Sequence, residues 1–316
     1  MMEKGAGDTA HATITETIAR IRPPSDHVRR TVEALLDEKT KPPGSLGRLE
    51  ELVSRIASIR GAVPPRHPRT ALVVAAADHG VAAEGVSAYP QSVTAEMLAN
   101  FDAGGAAACV LARDVGARLV VVDVGVIDPP LTGDIRCDVV DGVRGTGNMT
   151  IGPAMHPSTL AGLMARGIEL ADEFAGDGIE IVALGDMGIA NTTAAGAICA
   201  ALLPADPAGV CGRGTGVDDD GVRRKVDVVR RSLAANGLDD VRSKRDPLET
   251  LASVGGLEIA YLVGVILGAA ACRMPVVLDG FVTGAAALAA ARLAPPAVDS
   301  MIAATRSPEP GHNLVL

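Results

Sequence analysis

The chain has 316 residues, of which 48% are hydrophobic and 2% aromatic, and this size fits one large α/β domain with or without a small second one. A net charge of −9 and the scarcity of aromatic side chains argue against a nucleic-acid-binding surface, which needs a basic stripe or stacking platforms. Five scattered cysteines without a CxxC spacing argue against a zinc site or a disulfide framework and fit a reducing cytoplasm.

The N-terminal part is predicted to consist of a disordered tail followed by a small helical subdomain. Residues 1–12 are small and polar, and we expect them to be disordered. In residues 13–65, Ile14, Ile18 and Ile21 recur at helical spacing, and paired prolines interrupt the helical segments.

From residue 66 to residue 300, short aliphatic runs alternate with longer amphipathic segments. The aliphatic runs are typical of buried parallel strands and lie at residues 71–77, 119–122, 179–184 and 276–278. Predicted helices between them include residues 94–113, 158–175 and 221–235. This order predicts an α/β fold with a doubly wound, mostly parallel sheet in a Rossmann-like domain, and it leaves residues 301–316 as the start of a C-terminal segment.

The chain is predicted to contain no membrane segment and no secretion signal. Its most apolar stretch, residues 257–272, is short and interrupted by Glu258, so we interpret it as a buried helix. The first thirty or so residues are polar and charged, unlike a signal peptide. The sequence therefore predicts a cytoplasmic protein.

Four aspartates follow the predicted strands, namely Asp78, Asp123, Asp186 and Asp279. Ligands of parallel α/β sheets bind beyond the carboxyl ends of the strands. Four acids at that edge suggest a ligand with hydroxyl groups or one that develops positive charge during reaction. The alternative is that each aspartate only caps the following helix.

Three glycine clusters in predicted turns favour a phosphorylated small ligand, because glycine lets backbone amides approach an anion. The clusters are Gly185–Gly188 leading to Asn191 and Thr192, then Gly212, Gly214 and Gly216, and finally Gly255 and Gly256. Lys225 follows the second cluster on a predicted helix, where a solvated helix face is the alternative interpretation. Neither a GxxxxGK[ST] loop nor a well-placed GxGxxG fingerprint is present.

The acid–base groups favour carboxylates as general base. Among six histidines only His79 lies in a strand-end turn, and we interpret it as a hydrogen-bonded turn residue rather than a catalyst. No Ser-His-Asp order or HExxH motif is readable, which disfavours a nucleophilic hydrolase or a zinc peptidase.

Seven strings occur in the same order as in one enzyme family. They are KPPGSLGRLE at 41–50, ADHGVAAEGVSAYPQSVT at 77–94, GTGNMTIGPAM at 145–155, GDMGIANTTAA at 185–195, KVDVVRR at 225–231, SVGGLEI at 253–259 and VVLDGF at 276–281. Over about residues 30–312 the chain resembles the nicotinate-nucleotide:dimethylbenzimidazole phosphoribosyltransferases, which make the lower ligand of cobalamin.

The resemblance implies transfer of a phosphoribosyl group from nicotinate mononucleotide to 5,6-dimethylbenzimidazole, giving α-ribazole 5′-phosphate and nicotinate. It implies a homodimer and a reaction without a metal or a redox cofactor. Two other functions stay open, namely a non-catalytic nucleotide-binding form of the same family and, from the fold alone, a Rossmann-type oxidoreductase.

The resemblance also implies roles for single residues. Tyr89, Met97 and Met187 would bind the base, and Asp186 would be a secondary active-site carboxylate. The family's general-base glutamate belongs to an RLGEG[ST]G motif that would follow Leu316. The residues expected to hold the nucleotide and its phosphate are Gly188, Asn191, Thr192, Gly212, Gly214, Gly216, Lys225, Gly255, Gly256 and Asp279.

Overall fold

The computed structural model describes residues 2–63, 67–129, 133–203, 205–240 and 245–316, with side chains from residue 9 onward. The strands are β1 (Thr70–Ala77), β2 (Arg118–Gly125), β3 (Arg136–Cys137), β4 (Ile181–Met187), β5 (Val276–Leu278) and β6 (Met301–Ala303). The helices are α1 (Met2–Arg20), α2 (Asp26–Asp37), α3 (Arg48–Arg60), α4 (Val93–Asp102), α5 (Ala107–Asp114), α6 (Pro157–Gly176), α7 (Asn191–Leu202), α8 (Pro207–Val210), α9 (Asp219–Ala235), α10 (Pro247–Val254), α11 (Leu257–Ala271), α12 (Phe281–Leu293) and α13 (His312–Val315).

The strands form one parallel sheet in the order β3-β2-β1-β4-β5-β6. This confirms the predicted doubly wound sheet and all four predicted strands. The chain leaves β1 in one direction to β2 and later returns to its other side as β4, so the strand order reverses between β1 and β4. The crevice beyond the carboxyl ends of these two strands is where doubly wound sheets bind ligands.

Helix α11 lies in the centre of the molecule, as its uniformly apolar sequence predicts. It is buried along its length and packs on α6 and on the sheet. The two helices meet almost backbone to backbone, because a Cβ added to Gly264 would lie 2.0 Å from the Met164 carbonyl oxygen and one added to Gly167 would lie 2.2 Å from the Tyr261 carbonyl oxygen. No helix in the described part of the chain is long and apolar enough to cross a membrane.

The ends of the chain differ from their predictions. Residues 1–12 were expected to be disordered, but α1 begins at Met2, and Ala10, Ile14 and Thr17 are buried where it packs on α6 and α11. Its apolar contacts therefore lie with the main domain, while α2 and α3 pack on each other. Strand β6 extends the sheet beyond residue 300, into the segment 301–316. Strand β3 consists of Arg136 and Cys137 and β6 of Met301–Ala303, so neither has the valine-rich aliphatic run by which the equally short β5 was predicted.

Candidate active site

A cavity of ≈ 220 Å³ lies at the crevice between the carboxyl ends of β1 and β4. Its wall combines the loop after β1, the end of β4, the start of α7, the glycine loop 212–216 and α9. It is lined by Val86, Ser87, Asp186, Met187, Gly188, Ile189, Ala190, Asn191, Thr192, Thr215 and Lys225. A second cavity of ≈ 260 Å³ between α1, α6 and α10 is mostly apolar and lies away from the strand ends. The first cavity is therefore the better candidate for acid–base chemistry.

Asp186 is the carboxylate in this cavity. Its Oδ2 accepts a hydrogen bond of 2.7 Å from the side-chain amide of Asn191, at the first turn of α7. Burial and, after it, repulsion from Glu258 raise the pKa of Asp186 to about 7, although the bond from Asn191 opposes the rise. A carboxylate with a pKa near neutrality is suited to accept a proton during a reaction.

His79 and Glu258 form a buried pair behind Asp186. The Nε2 of His79 lies 2.9 Å from the Oε1 of Glu258, and both residues are inaccessible to solvent. Burial lowers the pKa of His79, but Glu258 and then Asp78 and Asp186 raise it, so that the pKa stands above its usual value. His79 was interpreted as a turn residue only, and the structure makes it the centre of an acidic cluster.

Lys225 is buried on α9 at the floor of the cavity. Its Nζ donates to the Thr192 hydroxyl at 3.0 Å and to the Gly212 carbonyl at 3.1 Å. The alternative interpretation as part of a solvated helix face is wrong for Lys225, since its exposed fraction is 1%. Arg223 and Arg224 on the same helix are exposed. The ammonium group therefore joins α7 to the glycine loop.

Glu309, from the segment before α13, completes this part of the site. Its Oε1 accepts a hydrogen bond of 2.7 Å from the backbone amide of Gly214, and it is 7% exposed. Burial lowers the pKa of Lys225, and the Glu309 carboxylate opposes that effect. A Cβ at Gly212 would lie 2.5 Å from the Oε2 of Glu309, so glycine is needed there to admit the carboxylate.

The four strand-end aspartates serve different purposes, and none caps a helix through its side chain. Asp123 accepts from the backbone amides of Gly125 and Val126, and its other oxygen accepts from Arg144. Asp78 accepts from the amide of Ile127 and so joins the ends of β1 and β2. Asp279 is exposed, and its charge raises the pKa of Asp186.

Several predicted site residues lie outside the cavity. Gly256 packs on the buried pair, because a Cβ there would lie 2.5 Å from the Cε1 of His79, and Gly255 ends α10. Tyr89 is 53% exposed, and neither Tyr89 nor Met97 lines the cavity. Gly216 has a positive φ and open space around its Cα.

Sequence reasoning did not single out Glu258 and Glu309, and it also missed the lining residues Val86, Ser87, Ile189, Ala190 and Thr215. One signal was present for Glu258, because a lone acid inside an apolar helix costs free energy unless it has a partner. Glu309 carries no comparable local signal, since its partners lie 95 residues away in the glycine loop.

Gly188 lets β4 pass close to β1 at the site. A Cβ there would lie 2.5 Å from the backbone carbonyl oxygen of Ala77, which has little freedom to move. We expect Gly188→Ala to destabilise the fold by about 1–3 kcal/mol, the usual cost of overpacking. The matched control is Gly176→Ala at the exposed end of α6, where nothing lies within 4 Å and alanine favours the helix. Urea unfolding of both variants measures the difference, and equal midpoints would contradict the close approach.

Comparison with known proteins agrees with this geometry. Residues 21–316 match the DBI_PRT family model, described as phosphoribosyltransferase. A nicotinate-nucleotide–dimethylbenzimidazole phosphoribosyltransferase from Desulforudis audaxviator is 48% identical over 304 residues, covering 96% of this chain and 84% of its own length. The enzyme of that name from Chloroflexus aggregans is 49% identical, with the same coverage.

A solved structure supports the same assignment at the level of the fold. The crystal structure of nicotinate-nucleotide–dimethylbenzimidazole phosphoribosyltransferase from Thermus thermophilus superimposes with a TM-score of 0.83 at 42% identity, over 92% of this chain and 85% of that one. Coverage and identity at this level establish the relationship along nearly the whole sequence. This chain therefore belongs to the nicotinate-nucleotide–dimethylbenzimidazole phosphoribosyltransferase family.

Proposed function

We propose that the protein transfers the 5-phosphoribosyl group of nicotinate mononucleotide to 5,6-dimethylbenzimidazole. One observation carries the proposal: the buried cation Lys225 with its glycine loop and the carboxylate Asp186, whose pKa is raised to about 7, line one cavity. Lys225 and the glycine loop can bind a phosphate, and the carboxylate can accept the proton that a nitrogen heterocycle must lose. Both requirements belong to the same reaction.

The proposed mechanism uses these groups in turn. The bond between the ribose C1′ and the pyridine nitrogen breaks, the electron pair leaves with nicotinate, and C1′ gains oxocarbenium character. Asp186 and Asp279 place negative charge near that carbon. One ring nitrogen of the benzimidazole forms the new bond to C1′, and its other nitrogen gives its proton to Asp186. In this proposal Asp186 takes the role that the resemblance gives to a glutamate beyond Leu316. Lys225 holds the phosphate throughout, together with the amides of the loop 212–216 and the start of α7.

The proposed function is tested by mixing the purified protein with nicotinate mononucleotide and dimethylbenzimidazole. Equimolar release of nicotinate and formation of α-ribazole 5′-phosphate are expected. Nucleotide binding without either product would instead favour a non-catalytic binding protein. An NAD or NADP complex with hydride transfer would favour the oxidoreductase, for which the chain has no dinucleotide fingerprint.

The base is expected to bind against Met187. This thioether lines the cavity with Val86 and Ser87 and offers a soft apolar surface to an aromatic ring. Dimethylbenzimidazole should therefore compete better than adenine, whose polar edge would lose its hydrogen bonds with water. Met187→Ala should raise the KM for the base several-fold without changing the affinity for the nucleotide.

Tyr89→Ala and Met97→Ala are the matched comparisons for the base site, because both residues were predicted to bind the base and neither lines the cavity. Steady-state kinetics of the three variants separates the possibilities. If Tyr89→Ala or Met97→Ala raises the KM for the base more than Met187→Ala does, the base lies outside this cavity. Preference for adenine would contradict an apolar base site altogether.

We also propose that the protein acts as a homodimer, as the resemblance implies, and in the cytoplasm, which its scattered cysteines fit. Light scattering coupled to size-exclusion chromatography measures the assembly directly. A monomeric mass at working concentration would contradict the dimer.

A further inference from the structure

A group of ionisable side chains with unusual bonding lies behind the proposed active site. Asp78 follows β1, Glu258 lies on α11, and His79 lies between them, all buried. Three of their polar atoms are buried without a hydrogen-bond partner, namely Asp78 Oδ1, His79 Nδ1 and Glu258 Oε2. Buried polar atoms usually have partners, since each one left alone costs about 1–3 kcal/mol.

This group lies against the cavity wall beside Asp186, because a Cβ added to the lining residue Gly188 would lie 3.2 Å from the Nε2 of His79. Its charges act on Asp186. Glu258 raises the pKa of Asp186, and His79 lowers it. Asp186 in turn raises the pKa of His79, together with Glu258 and Asp78. Asp279, at the end of β5, adds a further negative charge. Three carboxylates, those of Glu258, Asp78 and Asp186, act on the one buried imidazole, and they cannot all be ionised cheaply away from water, so the group favours retention of protons.

We propose that His79 and Glu258 are positioning residues that hold a proton behind Asp186 and thereby determine the pH at which Asp186 can accept one. Neither residue lines the cavity, so each acts through Asp186 rather than on the substrate. The role of Asp186 as proton acceptor rests on the proposed function, whereas its electrostatic control by the pair does not.

The two partners have opposite effects, and this gives the inference its test. Glu258→Gln keeps a side chain that can bond to His79 but removes the negative charge, so the pKa of Asp186 should fall. His79→Gln places an amide nitrogen near the position of Nε2 and keeps the bond to Glu258, but it removes the positive charge. The pKa of Asp186 should then rise. Each shift is expected to be about one pH unit or more, as for a close charge in a buried site.

The experiment follows the γ-carbon signal of Asp186 by NMR in full-length protein labelled at aspartate, with Asp186→Asn to assign the signal. Opposite displacements of the titration midpoint in Glu258→Gln and His79→Gln would support the inference. Midpoints that stay in place, or move in the same direction, would overturn it, since a purely structural pair has no reason to displace them oppositely.

Two further readouts keep the outcomes distinct. The pH profile of kcat/KM should move in the same directions as the NMR midpoints. If the midpoints move oppositely but no variant or wild-type protein forms product, the electrostatic coupling stands and the proposed function fails. If the variants do not fold, imidazole nitrogen shifts of the wild-type protein decide: a charged His79 at pH 7 supports the pair as a proton holder, and a neutral one overturns it.

Discussion

Asp186→Asn is expected to reduce the rate of phosphoribosyl transfer by about 10²- to 10⁴-fold, the usual contribution of a positioned general base. The asparagine oxygen can still accept the bond from Asn191, so the local structure should persist. Single-turnover formation of α-ribazole 5′-phosphate measures the rate, and calorimetry measures nucleotide affinity. The rate should fall while the dissociation constant for nicotinate mononucleotide changes little, since Lys225 and the glycine loop are unaltered.

The pH dependence of the wild-type protein gives the same prediction an independent check. Burial and the charge of Glu258 raise the pKa of Asp186 to about 7. The base form therefore predominates above that pH, and kcat/KM should rise with pH through about 7. In Asp186→Asn this rise of kcat/KM with pH should disappear.

Asp123→Asn is the control for a nearby acid, because Asp123 is engaged by Arg144 and two backbone amides and does not line the cavity. That variant should lose stability but keep the rise of kcat/KM with pH. A full rate in Asp186→Asn would mean that another group accepts the proton.

The sheet could be predicted from sequence because buried parallel strands are runs of aliphatic residues. The run at 71–77 and its three counterparts are mainly aliphatic segments, and each overlaps the strand that forms, with ends that differ by at most three residues. Their order along the chain then brings the aspartates at 78, 186 and 279 to one edge. What the pattern could not predict is which of these acids would lie in a cavity. That depends on side chains from α7, α9 and the loop after β1.

Residues of the candidate site could be predicted from sequence only where they directly follow a predicted strand. Gly188 and Asn191 lie directly after β4, so their place follows from the strand. Glu309 is different, since its contact with Gly214 depends on how the chain returns after β6. For Gly255 and Gly256 the sequence could not show the surroundings: a glycine pair in a turn resembles an anion-binding loop, yet Gly256 lies against His79 and Glu258, and Gly255 ends α10.

Lys225→Ala is expected to weaken nicotinate mononucleotide binding by about 1.5–3 kcal/mol, the range for hydrogen bonds to charged groups, which corresponds to roughly 10- to 150-fold. The ammonium group bonds to Thr192 and to the carbonyl of Gly212, and Thr192 and Lys225 both line the cavity proposed for the phosphate. Burial lowers the pKa of Lys225, so its charge should be lost at a lower pH than that of an exposed lysine. As the pH rises, the wild-type protein should therefore lose affinity for the nucleotide at a lower pH than a protein that held the phosphate with an exposed lysine.

Arg223→Ala provides the matched control for Lys225, because Arg223 lies on the same helix, is exposed and pairs with Asp220 at the surface. It should leave the nucleotide affinity unchanged. The nucleoside that lacks the phosphate should bind equally to wild type and Lys225→Ala, since the lost partner is the phosphate. Calorimetry on protein whose folding is verified by thermal unfolding gives the nucleotide affinities of wild type and both variants and the nucleoside affinities of wild type and Lys225→Ala. If Lys225→Ala weakens the nucleoside as much as the nucleotide, Lys225 holds α7 and the glycine loop together but does not bind the phosphate.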